Sequence, residues 1–107
     1  GVTVAELGRV LNQKDEAPEV RLACAKALVK SPLQLQPIRH LLDCMGGIGR
    51  EEQQLHRFGA DVTGLLDKRV GKSYGADKAT VERWEDWYKD NHERLKAEDQ
   101  KILKSGS

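Results

Sequence analysis

Apolar residues in this 107-residue chain recur at steps of three and four, and five segments carry that helical spacing. In the first, Thr3-Val-Ala-Glu6 has the capping-box spacing, a hydroxyl followed three residues later by a carboxylate. The helix it opens carries Leu7, Val10 and Leu11 on one face and should end near Asn12 or Gln13. After a polar turn at Lys14-Asp15-Glu16-Ala17, the second segment runs from Pro18 to about Lys30, where Ser31-Pro32 stops it. Pro18 is tolerated in a first turn, and Glu19 complements the positive end of the helix dipole. Val20, Ala23, Cys24, Ala27 and Leu28 fall at i, i+3, i+4, i+7 and i+8, which predicts a buried stripe of small side chains open to close approach.

The third segment has Pro37 in its first turn and Ile38, Leu41, Leu42 and Met45 as its stripe. Gly46-Gly47-Ile48-Gly49 is expected to end it. The fourth begins near Arg50, with Glu51 and Glu52 at its positive end and Leu55, Phe58, Val62, Leu65 and Leu66 facing inward. Gly59 and Gly64 each weaken that helix by roughly 1 kcal/mol relative to alanine, unless close packing requires them. Val70 to Ala76 reads as a loop and Asp77 as the N-cap of a last helix. Val81, Trp84, Tyr88 and Leu95 are its inner positions, and it frays in the polar sequence before Ser105. No segment alternates as a strand does. The pattern predicts an all-α fold of about five helices, an α-α superhelix in short form.

Composition sharpens this picture. Charged residues are 33% and aromatics 5% of the chain, a balance suited to helices rather than to sheets. The length is that of one domain, spanning 1–104, able to bury a core without disulfides or metal. Within it we expect a helix pair at 3–30, a degenerate pair at 37–69 and a capping helix at 78–98, with 105–107 a tail. No apolar run approaches ~20 residues, so no membrane insertion is expected, and no signal-peptide pattern opens the chain. A formal net charge of +1 argues against a dedicated nucleic-acid binder. Cys24 and Cys44 read as buried free thiols, with a disulfide only if the helices bring them within reach. That mildly favours a reducing compartment such as the cytoplasm.

Candidate chemistry is incomplete wherever it is sought. Gly71-Lys72-Ser73 matches the end of a phosphate-binding loop, but Leu66 stands where that motif needs its first glycine, and a helix precedes it. Gly46-Gly47-Ile48-Gly49 likewise lacks a preceding strand. His40 and Cys44, four apart, could share a helix face as ligands, with His56 and Cys24 joining through tertiary contact; packing of Cys44 beside Leu41 and Met45 is the simpler expectation. Trp84, Trp87 and Tyr88 are expected to pack the last helix, with Trp87 at the stripe border as the alternative aromatic anchor for a partner.

Leu7-x-x-Val10-Leu11, Asp15 and Pro18-Glu19-Val20-Arg21-x-x-Cys24-x-x-Ala27-Leu28 together resemble a HEAT repeat, including the HEAT-like type named after phycobilisome lyases. Gly71-Lys72-Ser73-Tyr74-Gly75-Ala76-Asp77 with Trp84-x-x-Trp87-Tyr88 resembles the glycine-and-tryptophan segment that closes bacterial HEAT-repeat proteins. The resemblance implies antiparallel helix pairs stacked into a solenoid, with Asp15 and Arg21 tying adjacent turns. His92-Glu93 is similar to one His-Glu unit of HEAT-like deoxyhypusine hydroxylases, which need several. HEAT-like alkylpurine glycosylases use an aromatic-and-aspartate cleft on a basic solenoid; Asp86 sits beside Trp87 here, but the basic surface is missing. Five helices make two pairs plus one, and the abrupt N-terminus favours the C-terminal part of a longer array.

The function expected is protein–protein binding or scaffolding without catalysis, metal or cofactor. Helices two and four should line the concave surface, with Arg21, Lys26, Arg50, Gln54, Arg57 and Trp87 the candidate partner contacts. The alternatives are a nucleic-acid-binding helical domain or a fragment of a HEAT-like lyase-type enzyme. Nothing in the sequence specifies the partner or the oligomeric state.

Overall fold

A computed structural model describes residues 3–13, 15–48, 56–74 and 80–105, with side chains left out at 47–48 and 56–59. Five α-helices account for most of them: α1 (Val4–Leu11), α2 (Pro18–Lys30), α3 (Leu35–Ile48), α4 (His56–Val70) and α5 (Thr80–Ser105). No strand occurs among the described residues.

The first two helices begin and end close to where their sequence places them. Thr3 Oγ1 accepts the Glu6 amide at 3.2 Å, opening α1. At its other end, the Asn12 amide and side-chain Nδ2 both donate to Gly8 O, at 3.1 and 2.9 Å. α2 has Pro18 in its first turn and no side-chain cap at Ala17. After it, Ser31 Oγ accepts from Leu33 N at 3.2 Å, turning the chain towards α3.

The start of α3 is built differently. Its exposed amides are taken by Asp99, far away in sequence on α5: Gln34 N donates to Oδ1 at 2.8 Å and Leu35 N to Oδ2 at 2.9 Å. A carboxylate there both satisfies donors that a helix start leaves unpaired and sits at the positive dipole end. Tyr88 OH donates to Leu35 O at 3.2 Å, and Gln34 Nε2 to Glu98 at 2.6 Å. These bonds explain why α5 runs helical to Ser105 rather than fraying after Leu95: Asp99 is 9% exposed, and Arg94 pairs with Glu98 one turn apart at 3.0 Å. α3 also passes through Gly46 and Gly47 instead of ending there. A Cβ at Gly46 would make only ordinary contact with Val81, 4.0 Å away.

α3 is the hub, packing against every other helix. α1 packs on α2 and α3, α2 on α4, and α3 on α4 and α5. The core comprises Leu11, Ala25, Leu28, Ile38, Leu41, Leu42, Cys44, Met45, Val62, Leu66, Trp84, Trp87 and Leu95. All four stripe positions foreseen on α3 are in it. On α5, Trp84 is wholly buried, edge-on to Tyr74 at 4.7 Å and to Trp87 at 5.5 Å.

The stripe expected on α2 is displaced by roughly a third of a turn. Its buried residues are Arg21, Ala25 and Leu28; Val20 is 43% exposed, Ala23 and Ala27 are exposed, and Cys24 is half-buried. The reason is chemical. Apolar residues occupy more than half the circumference of α2, so spacing alone leaves its inner face ambiguous. Arg21 resolves it by donating from Nε to Leu11 O at 2.8 Å, a carbonyl at the end of α1, with Nη2 at 3.9 Å from Cys44 Sγ. Asp15, paired with it by the family resemblance, lies exposed in the preceding turn.

Of the two glycines that weaken α4, Gly64 is described, and a Cβ there would meet nothing within 4 Å. Gly64→Ala should therefore stabilise the protein by about 0.5–1 kcal/mol, because only the unfolded chain loses freedom. Urea unfolding checks this; an unchanged or lower midpoint would count against the open space around Gly64. Gly71, at φ +80°, ends α4 in the left-handed conformation, its amide bonded to Asp67 O at 2.8 Å.

Candidate functional site

Two surfaces are built well enough to weigh as sites. The first is the outer side of α2. Because Arg21, Ala25 and Leu28 turn inward, Glu19, Val20, Ala23, Lys26, Ala27 and Lys30 are left to solvent. The result is a strip of small apolar side chains with an acidic residue near its start and two lysines towards its end. Lys26 is thus exposed, as a partner contact requires. Arg21 is not: it is 6% exposed and its guanidinium is used inside the fold. Trp87, also 6% exposed, packs on Trp84, so it serves the core and is not a surface anchor. Arg50, Gln54 and the side chain of Arg57 lie outside the described residues, as do Asp77, Leu55 and the side chain of Phe58.

The second surface is an open cleft of about 500 Å³ where α3 meets α5, lined by Arg39, Glu85, Asp86, Tyr88, Lys89, His92 and Glu93. Arg39 organises it. Its guanidinium grips Glu85 with both terminal nitrogens, one bond measuring 2.9 Å, donates from Nε to Asp43 at 3.0 Å, and lies over the Tyr88 ring at 5.0 Å. The Glu85 bond raises the Arg39 pKa further, and the same bond holds the Glu85 carboxyl below its ordinary range. Burial pushes the Tyr88 phenol above its usual value. Each shift moves the pKa of its group further from physiological pH. Arg39, Glu85 and Tyr88 therefore keep fixed protonation states at physiological pH, which suits a latch between two helices better than acid–base exchange. His92 sits edge-on to Tyr88 at 5.7 Å and within 3.7 Å of Glu93.

The pairing of His40 with Cys44 does not form a ligand set. The Cys44 thiol faces Leu11 O and Arg21, both at 3.9 Å, whereas the His40 ring lies against Gly8. Among the described residues no group of three or more His, Cys, Asp or Glu side chains could hold a metal ion. The side chain of His56 is outside them. Both cysteines are free thiols, Cys44 buried and Cys24 half-buried.

Burial raises the Cys44 pKa to about 11 despite the opposing pull of Arg21. The folded protein therefore keeps a proton that the unfolded chain loses at an ordinary thiol pKa near 9. The corresponding stability is complete below about pH 9 and is lost as pH rises through 11. Thermal unfolding across pH 8–11 should show a steeper fall in wild type than in Cys44→Ala; parallel curves would refute the linkage. At pH 8, a thiol reagent should label Cys24 first.

Arg39, Glu85, Gln34 and Asp99 are the polar residues that sequence reasoning passed over. Arg39 and Asp43 have the i, i+4 spacing of a helix ion pair and were legible. Glu85 and Asp99 find their partners across 46 and 64–65 residues, where no local signal operates. In comparisons with protein-family models, curated proteins and solved structures, the chain matched none.

Proposed function

We propose that this chain is a HEAT-like helical module that binds a protein partner through the outer faces of α2 and α4, without catalysis of its own. The order of packing carries the reading. α1, α3 and α5 follow one another side by side, and α2 packs on α4, while α1–α2 and α3–α4 form successive hairpins. Successive hairpins whose first helices run parallel and pack on each other, and whose second helices do the same, are what a solenoid of helical repeats requires; α5, antiparallel to α3, closes the row. The 18 Å short dimension of the molecule fits two helix layers. The even-numbered row leaves Val20, Ala23, Lys26 and Ala27 uncovered, and Arg50, Gln54 and Arg57 belong to the same proposal from their positions in sequence.

Capture from a cell extract of the source organism tests it, read by quantitative mass spectrometry with wild type beside Val20→Glu/Ala27→Glu. The reading expects one protein enriched by wild type and reduced at least tenfold by the variant, with helical circular dichroism unchanged. Equal recovery by both proteins would refute it. So would retention of nucleic acid that weakens steeply between two salt concentrations, the mark of phosphate-driven binding.

A further inference from the structure

Cations gather at one end of the molecule. Arg69, in the last turn of α4, reaches Pro32 O and Leu33 O at 3.5 Å, placing the end of α4 beside the residues that follow α2. Asp99 brings α5 to the same turn through its bonds to Gln34 and Leu35. Lys30, Lys68, Arg69 and Lys72 thus share this end, all exposed, with Lys26 one helical turn along α2. Cations in last turns complement helix dipoles, which accounts for one or two of them.

The acids of this end do not balance the rest, because the fold consumes them. Asp99 caps α3, Glu98 takes Gln34 and Arg94, and Asp67 is half-buried and bonded to Ser73. Among the described residues, none of Lys26, Lys30, Lys68 and Lys72 lies within 4.0 Å of a carboxylate. At the other end of α2 the sign reverses: Asp15, Glu16 and Glu19 flank its start. The chain carries a formal net charge of only +1, yet among the described residues the two ends of α2 differ in sign.

Resting on the binding role proposed above, we infer that the end formed by Lys30, Lys68, Arg69 and Lys72 docks an acidic segment of a partner protein. Charge complementarity and dimensions favour that occupant over a nucleic acid. Four cations clustered at the helix ends match a short run of carboxylates, and the Val20–Ala23–Ala27 strip beside Lys26 offers apolar contact to the segment as it continues. A phosphodiester backbone, charged about every 1.7 Å along a duplex, extends past such a patch into the acidic end. Steering by a patch of this kind also shortens the search for a partner and weakens with salt.

The test is fluorescence anisotropy with a labelled twelve-residue polyglutamate peptide, against a labelled oligothymidylate of equal length, at 20 and 200 mM salt. Saturable peptide binding is expected, at least tenfold weaker at the higher salt. Lys30→Glu/Lys68→Glu should weaken it at least tenfold, while Arg9→Glu/Lys89→Glu, with the same charge change away from this end, should alter it less than twofold. Equal losses in both variants, no saturable peptide binding, or tighter binding of the oligonucleotide would each overturn the inference. Sedimentation of wild type alone must show a monomer, because head-to-tail pairing of the two charged ends would assign the patch to a second copy. A protein captured by wild type and still captured by Lys30→Glu/Lys68→Glu would leave the binding role intact and remove only this end from it.

Discussion

Arg21→Ala is expected to lower the unfolding free energy by about 3 kcal/mol, which urea denaturation would show as a clearly earlier midpoint. Two losses add. Leu11 O, accepting from Arg21 Nε at 2.8 Å, is left without its principal donor in a buried site, and an unsatisfied buried carbonyl costs about 1–3 kcal/mol. The Cys44 thiol, 3.9 Å from the same oxygen, is too weak a donor to replace it. The missing side chain also leaves a void between α1, α2 and α3, whose walls lose their packing contacts. Arg21→Met separates the two effects: it fills most of the volume and restores no hydrogen bond, so its loss should be about half as large. If alanine and methionine proved equally costly, the hydrogen bond alone would account for the role of Arg21. A loss under about 1 kcal/mol for alanine would show that neither effect operates.

Gly8→Ala comes second, with an expected loss of about 1–3 kcal/mol where a helix-propensity argument predicts a gain. In an open helix the exchange would be worth nearly 1 kcal/mol in favour of alanine. Here a Cβ would sit 2.3 Å from His40 Cγ and Nδ1 and 2.4 Å from Cδ2, inside any tolerable contact. α1 would have to lift from α3 or the imidazole rotate away, disturbing the Asn12 Nδ2 bond to His40 O at 3.3 Å. Gly8→Ala in a His40→Ala background should regain most of the loss, giving a coupling of at least about 1 kcal/mol. Additive losses would place the strain elsewhere. Gly8 and Gly64 thus make an internal contrast: the same exchange, in two helices of one protein, with opposite signs.

The five helices were legible because their apolar residues keep helical spacing and their ends carry short-range signals. Thr3, Pro18 and Ser31 act within a few residues of themselves, and the structure puts each where its chemistry suggests. What could not be read was set by distant partners. Arg21 looked like a surface cation because arginine is seldom buried; only a carbonyl at the end of another helix draws it in. Gly46 and Gly47 looked like a stop because glycine costs a helix stability, a cost that packing of α3 against all its neighbours overrides. The polar stretch after Leu95 looked frayed because Asp99 has no use within its own helix. Of the candidate contacts, Lys26 stands where a partner could reach it and Trp87 does not, a difference of one small rotation at a stripe border that spacing alone does not decide.

Asp99 has a consequence in time as well as in space. The amides it caps belong to Gln34 and Leu35, so the first turn of the central helix leaves the ribosome long before the carboxylate that completes it. Until then α3, against which every other helix packs, begins with unpaired donors. The early part of the chain can form local hairpins but cannot settle its hub. Because that contact spans more than half the sequence, it can close only after most of the chain has emerged. A protein released even a few residues short of Asp99 would keep all of its apolar core residues and lack the fastening on which their arrangement turns.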